Sequence, residues 1–314
     1  MGQFLAGRLI GSLGVVVASS LVIFMVVRLI PGDPISVLLE QETDPTVKEA
    51  FRRLYGLDQP VYVQYFVWAR ALMSGDFGLS LITHTPVIEQ VIVRAPRTLY
   101  LMVGSLALSL AVSIPAALIA ARKNKSWPDS LVLSATTLVM SIPSFWIGII
   151  FTLVFAITLQ WLPGAGFVDP SEDLGSSLRS MILPWVTLGL SMAAFTVRVL
   201  RASLLDVLTQ DYVRTARGKG VRERRVVLGH ALKNAAIPAV TLIGVQIGTL
   251  MGGTIVIEKV FGYPGMGQLI VNSITQRDYP VIQLSMLFFA SSFVLVTLIT
   301  DLTYGFLDPR IRGQ

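Results

Sequence analysis

The sequence predicts an all-α membrane protein with six transmembrane helices, and three observations carry that prediction. The first is composition. Of 314 residues, 53% are hydrophobic and only 14% charged, whereas a soluble domain carries about 25% charged residues; mean hydropathy is +0.69. The second is six apolar runs, 9–30, 99–121, 131–159, 181–200, 235–257 and 281–307, each matching the roughly 20 residues that a helix needs to cross a bilayer. Backbone in lipid must satisfy its own hydrogen bonds, so such runs are helices. The third is charge asymmetry. With both termini in the cytoplasm, the inside segments (1–8, 122–129, 201–234, 308–314) hold 14 Lys/Arg and 5 Asp/Glu, net +9. The outside segments (31–97, 160–180, 258–280) hold 9 and 13, net −4. This orientation obeys the positive-inside rule. The pI of 9.7 therefore reports membrane topology, not affinity for nucleic acid.

The first run is longer than a signal-peptide core, and Pro31-Gly32-Asp33-Pro34 follows it instead of a small-residue cleavage site, so it reads as a retained helix. Two prolines and a glycine end it, and Arg28 at its outer end can snorkel to the interface. Residues 31–97 form an outside segment with structure of its own. An amphipathic helix is expected over 46–54, with Val47, Ala50, Phe51 and Leu54 on one face, and another over Val61–Met73, with Tyr62, Tyr65, Phe66 and Ala69 at helical spacing. Gly75-Asp76-Phe77-Gly78 reads as a turn, and 87–93 as a helix lying on the membrane before the second span.

Pro143 stands near the middle of the third run and predicts a kink, either a static packing feature or a moving hinge. In the fifth run Asn234 can cap a helix start with Pro238 in the first turn. Gly244, Gly248 and Gly252 recur every four residues, a smooth stripe that lets another helix approach closely, in a translocation core or in ordinary packing. Ser141, Ser144, Gln246, Thr249 and Thr254 are small or neutral polar positions in the third and fifth runs and are candidate pore residues.

The longest polar interruption of the second half is 201–234. It carries eight Lys/Arg (Arg201, Arg214, Arg217, Lys219, Arg222, Arg224, Arg225, Lys233) against Asp206, Asp211 and Glu223. Asp211 can cap a short helix over 212–217, and Gly218 and Gly220 supply its stop. Tyr212, Val213 and Ala216 form a small apolar patch beside Arg214, Thr215 and Arg217. The loop either sets topology alone or presents this helix to a groove on another protein.

DYVRTARGKG (211–220) followed by HALKNAAIP (230–238) resembles the EAA loop of type I ABC importer permeases, in the form used by the peptide/nickel branch. Arg214, Thr215 and Ala216 stand where the general pattern has Glu-Ala-Ala, and Gly220 where it has Gly. The first two differ from the general pattern but suit the branch, as does Leu232-Lys233 with proline only at Pro238. PGDP, GLDQPVYVQYFVW, GDFGLS, PRTLYL, SIPSFW, LPGAGF, LPW, GGTIVIEKVFGYPGMGQL, RDYPVIQ and DPRIR extend the resemblance nearly end to end.

The resemblance implies a six-helix type I permease architecture, divided into 1–94 (first helix plus extracytoplasmic segment) and a five-helix core, 95–314, with the coupling loop 201–234. It implies a multi-pass protein of the cytoplasmic (inner) membrane that pairs with a second, homologous permease. Two cytoplasmic ATPase subunits would bind the EAA loops, and an extracytoplasmic binding protein would deliver the solute, with 31–97 as part of its landing surface. ATP and Mg would bind on the ATPase partners, with no cofactor in this chain.

The sequence itself holds no Walker A pattern, because Gly218-Lys219-Gly220 lacks the glycine spacing and the following Ser/Thr. GYPGMG at 262–267 has no βαβ context. Cysteine is absent, which excludes disulfides, thiolate zinc sites and a Cys nucleophile. His84 and His230 fall on opposite sides of the membrane and cannot share a metal. Asp301 is the acid deepest in a span, near Arg198 or Arg201 as an interfacial pair. A secondary transporter would need midplane acids or repeated halves, and an intramembrane protease a nucleophile and base, paired acids or a zinc motif; neither set is found. Neutral pore positions suit di- to oligopeptides and equally pass nickel chelates, excluding only bare cations.

Overall fold

The structure, a computed structural model, describes residues 2–29, 44–54 and 56–307. The PGDP end of the first span, DPRIR and the side chain of Asp301 lie outside the described residues. Twelve α-helices are described: α1 (Gly2–Leu29), α2 (Pro45–Leu54), α3 (Val61–Met73), α4 (Val87–Arg122), α5 (Trp127–Ser141), α6 (Ser144–Phe151), α7 (Leu174–Leu208), α8 (Asp211–Gly218), α9 (Glu223–Arg225), α10 (Leu232–Val260), α11 (Met266–Gln276) and α12 (Tyr279–Leu307). Two π-helical segments join them, π1 (Thr152–Thr158) after α6 and π2 (Val226–Ala231) between α9 and α10. The one β feature among the described residues is an isolated bridge between Leu79 and Pro86. Five helical runs are long and apolar enough to span a membrane, and six if α5 and α6–π1 count as one broken span.

Several expectations are corrected. Residues 87–93 do not form a separate surface helix; they are the first two turns of the 36-residue α4. The third apolar run is not a kinked helix but two, bent by 100°. Ile142, restrained by the following proline, is extended (φ −106°, ψ 129°), and Pro143 at ψ 138° heads α6. Asn234 does not cap the fifth span. Helical backbone already runs from Glu223 through π2 into α10, so the N–H groups after Asn234 have partners and need no cap, and Pro238 lies inside the helix. At the outer end of α1, Arg28 is half-buried, with its guanidinium 5.0 Å from the Phe24 ring centroid and 5.9 Å from that of Tyr279.

The chain divides into two compact units. In the first, 1–98 with 264–298, apolar faces of α4, α11 and α12 meet at Val87, Val91, Met266, Leu269, Val281 and Leu284. The buried Asp278 carboxylate accepts from Ser80 Oγ at 2.5 Å and Leu81 N at 3.1 Å, tying the loop after α3 to the start of α12. In the second unit, 99–263 with 299–314, Ala117, Ala121, Val197, Leu200, Leu204, Ala231, Ala235 and Ala239 form the core between α4, α7 and the start of α10. Asp173 caps α7, accepting from Gly175 N at 2.9 Å and Ser176 Oγ at 2.5 Å. The Ser176 hydrogen bond, with those of the backbone, holds its carboxyl below the usual aspartate range.

Close approach of helices occurs at single glycines. A Cβ at Gly104 would fall 2.0 Å from Trp185, and one at Gly189 would fall 2.8 Å from Ser105 O. A two-pronged ion pair pins α5 to α7: Arg201 Nε and Nη2 each lie 2.6 Å from an Asp129 oxygen. Asp129 also accepts from Lys125 N at 2.9 Å. Arg198 or Arg201 was expected near Asp301, whose side chain lies outside the described residues; Arg201 pairs with Asp129, and these two side chains are only 17% and 4% exposed. Breaking such a pair strands a buried charge. Asp129→Ala should therefore destabilise the detergent-purified protein by about 3 kcal/mol, read by thermal unfolding. The double change Asp129→Asn with Arg201→Gln should cost less than Asp129→Ala alone.

Candidate functional site

The second unit contains a cavity of about 340 Å³ between α6, α7 and α10. The helix break at Pro143 places Ser144 on its wall, in the first turn of α6. Gly148 lets α6 lie close to α7, since a Cβ there would meet Thr187 Cγ2 and the Phe261 ring at 3.2 Å. The α7 wall is Leu188, Ser191, Met192 and Phe195, and the α10 wall is Leu242, Val245, Gln246, Thr249, Leu250 and Gly253. Both sets follow helical spacing, so each presents one face.

Among the described residues no charged side chain lines this cavity. Gln246 is buried, and its amide bridges the two helices: Nε2 donates to Met192 O at 3.1 Å, and Oε1 lies 3.2 Å from Thr196 Oγ1. The hydroxyls of Ser191 and Thr249 donate to backbone carbonyls of their own helices, Thr187 O at 3.2 Å and Gln246 O at 2.9 Å. Their protons are thus spent, and the oxygens remain as acceptors. The wall can hold a small solute by apolar contact and a few neutral hydrogen bonds; it offers no ligand set for a bare cation.

Of the expected pore residues, Ser144, Gln246 and Thr249 line the cavity, whereas Ser141, Pro143 and Thr254 do not. Ser141 ends α5 with its hydroxyl on Thr137 O, Pro143 makes the break, and Thr254 is fully buried with its hydroxyl on Met251 O. Gly244, Gly248 and Gly252 stay off the cavity, which Gly253 reaches instead. Gly252 is exposed, with nothing within 4 Å of a built Cβ. The sequence reading missed the α7 wall entirely. Its one polar marker, Ser191, sits among apolar residues that look like any membrane helix.

The second element of interest is α8. Its N-cap is Gln210, still extended (φ −68°, ψ 150°), so Asp211 is the first helical residue and not the cap. There its charge still favours the helix N-terminus, with Arg214 Nη1 at 3.7 Å. The apolar patch is also rearranged. Val213 is fully buried, Ala216 is half-buried and Tyr212 is exposed; Tyr212 Oη accepts from Asn234 Nδ2 at 2.9 Å. Val213 thus anchors α8 to its own chain, while Tyr212, Arg214 and Thr215 face out.

The helix ends as its glycines predict. Gly220 has φ +74°, its N–H bonds Arg217 O at 2.9 Å, and the next N–H, of Val221, bonds Ala216 O at 3.2 Å. This is the paired closure of a Schellman motif. Arg217 lies across the turn on Glu223, with Nε–Oε2 3.1 Å and Nη2–Oε1 2.9 Å. Those hydrogen bonds raise the Arg217 pKa above its ordinary value.

Two family models match. Residues 113–313 match the model described as binding-protein-dependent transport system inner membrane component, and residues 1–102 match its N-terminal companion. The chain is 41% identical over 312 residues to the Glutathione transport system permease protein GsiC of Escherichia coli (strain K12), covering 99% of each chain. It is similarly 41% identical to the protein so named in Shigella dysenteriae serotype 1 (strain Sd197), and 40% in Shigella boydii serotype 4 (strain Sb227), again over 99% of each chain. Matched by these models over most of its length and by permeases at 41% identity nearly end to end, the chain belongs to the inner-membrane components of binding-protein-dependent transport systems, the permeases of ABC importers.

Proposed function

We propose that this permease carries short peptides, from dipeptides to oligopeptides, and that glutathione, a tripeptide, falls within its range. The observation that carries the reading is the cavity. Its 340 Å³ lies near the lower end of the roughly 300–1,000 Å³ of small-molecule sites, and its polar groups are neutral. Such a wall accepts solutes whose side chains and charges vary. The glutathione permeases that the chain resembles support the same class.

The remaining assignments belong to the same proposal. Helix α8, from Asp211 to Gly218 with Gly220 closing it, docks on a partner ATPase, with Tyr212, Arg214, Thr215 and Ala216 at the contact and Val213 and Arg217 holding the helix in place. ATP and Mg bind on two such partners. A second, homologous permease completes the path, and the exposed Gly252 suits close approach by it. An extracytoplasmic binding protein delivers the solute and lands partly on 31–97. Both termini face the cytoplasm, as the charge bias favours, and the chain divides functionally into 1–94 and 95–314.

The test of the substrate is calorimetric titration of the cognate binding protein. Glutathione or di- to tripeptides are expected to give saturable heat. Heat from nickel–histidine complexes together with none from peptides would replace the peptide reading with nickel chelates.

A further inference from the structure

We propose that Arg198 is a specificity residue for the anionic group of the solute, receiving a carboxylate as the solute leaves the cavity. The inference rests on the peptide reading above.

Two arginines stand three residues apart on α7, and the protein treats them differently. Arg201 is neutralised, with two nitrogens on the two oxygens of Asp129. Arg198 has no such partner. Its Nε donates to Thr136 Oγ1 at 3.3 Å and its Nη2 to Thr137 Oγ1 at 2.5 Å. Both threonine hydroxyls donate their own protons to Leu133 O, so they offer Arg198 a lone pair each and no charge. Among the described residues no carboxylate pairs with it, and its Nη1 edge has no acceptor. The two threonines hold the guanidinium in one orientation while leaving its charge unspent. Orientation by neutral hydroxyls and exposure of the group are what a transient anion site needs. A salt bridge of the Arg201 kind would close it.

Position supplies the second argument. Ser191 and Phe195 line the cavity, and Arg198 follows them at i+7 and i+3, on the same stripe of α7. A helix rises 1.5 Å per residue, so Arg198 sits about 4.5 Å beyond Phe195 along the axis, towards the α8 end of the helix. The cavity wall is neutral; the next group along that stripe is an oriented cation. A carboxylate moving out of the cavity along α7 meets it first, and Arg is suited to two-pronged carboxylate contact. Every free linear peptide carries at least one carboxylate, and glutathione carries two.

The test uses the complete transporter, with both permeases, both ATPases and the binding protein, in proteoliposomes. Wild type, Arg198→Lys and Arg198→Gln are compared for uptake of labelled glutathione and of the tripeptide Ala-Lys-Ala, in zwitterionic vesicles and in vesicles with anionic lipid. Arg198→Gln should lower glutathione uptake about tenfold, the scale of one lost charge-assisted contact, and should lower the ratio of glutathione to Ala-Lys-Ala uptake. Arg198→Lys should recover much of the loss, and subunit co-purification should be unchanged in both variants. Unchanged glutathione uptake in Arg198→Gln would overturn the proposal. So would equal loss for both solutes with failed co-purification of the second permease, which would make Arg198 an assembly residue. A defect confined to anionic vesicles would overturn it too, assigning the charge to lipid phosphate. In each of these cases the peptide reading stands. If the wild-type complex imports neither solute, that reading falls and this inference falls with it.

Discussion

Gly220→Trp should abolish transport while the protein still inserts in the membrane. Gly220 holds φ +74°, where a side chain with a Cβ is strained by about 1–2 kcal/mol. Its N–H and that of Val221 close the end of α8 on Arg217 O and Ala216 O. Forcing Gly220 out of that region opens both bonds and frays the last turn, where Ala216 and Arg217 sit. The indole then projects from an exposed turn where a Cβ meets nothing within 4 Å, into the space proposed for the ATPase partner. Ala216→Glu puts a charge at a half-buried position on the same helix and should have the same outcome. Both variants are measured by co-purification of the ATPase and by solute-stimulated hydrolysis. Normal values for both would remove α8 from the coupling role. Gly220→Ala separates strain from bulk: it should retain partial activity, because it carries the backbone penalty without the obstruction.

Gly104→Leu should eliminate the folded protein. A Cβ alone at this position would lie 2.0–2.6 Å from three atoms of the Trp185 indole, well inside van der Waals contact. The indole cannot simply withdraw, because its Nε1 donates to Tyr100 O at 3.1 Å, one turn back on the helix that carries Gly104. Overpacking usually costs about 1–3 kcal/mol; here the clash involves a ring and a helix backbone, so the top of that range or beyond is expected. The readouts are the yield of monodisperse protein in detergent and its unfolding temperature. Gly104→Ala should be milder, and Trp185→Leu added to Gly104→Ala should restore part of the loss. If Gly104→Ala and Trp185→Leu add independently, the two helices do not meet as described.

The sequence made the spans legible because hydropathy over twenty residues is a sum, and a sum tolerates local error. Helix α3 was expected over the residues that form it, and Gly220 was expected to end α8, because both are written in local chemistry: helical spacing of aromatics, and a glycine where φ turns positive. The losses have a common cause, which is that tertiary partners decide them. Residues 87–93 read in isolation as a helix lying on the membrane, but Val87 and Val91 are buried against α11 and α12, and the segment is the start of α4. Asn234 looked like a cap until the helix was seen to begin upstream, freeing its amide for Tyr212. Pro143 was legible as a disturbance, but its 100° size depends on Gly148 seating α6 against Thr187 and Phe261. The glycine stripe 244/248/252 is legible because it repeats, whereas the tight approaches within the chain at Gly104 and Gly189 do not repeat and depend on Trp185 and Ser105 opposite. Arg198 and Arg201 look equivalent in sequence and are separated only by what stands opposite, Thr136 and Thr137 for one and Asp129 for the other.

The central claim is that this chain is the permease of an importer driven by ATP on partner subunits. Its most direct test is uptake of labelled peptide by the assembled complex in proteoliposomes, with ATP inside and binding protein outside. Uptake is expected only when both are present, with no response to an imposed proton or sodium gradient. Uptake driven by such a gradient without ATP would contradict it and make the chain an ion-coupled carrier.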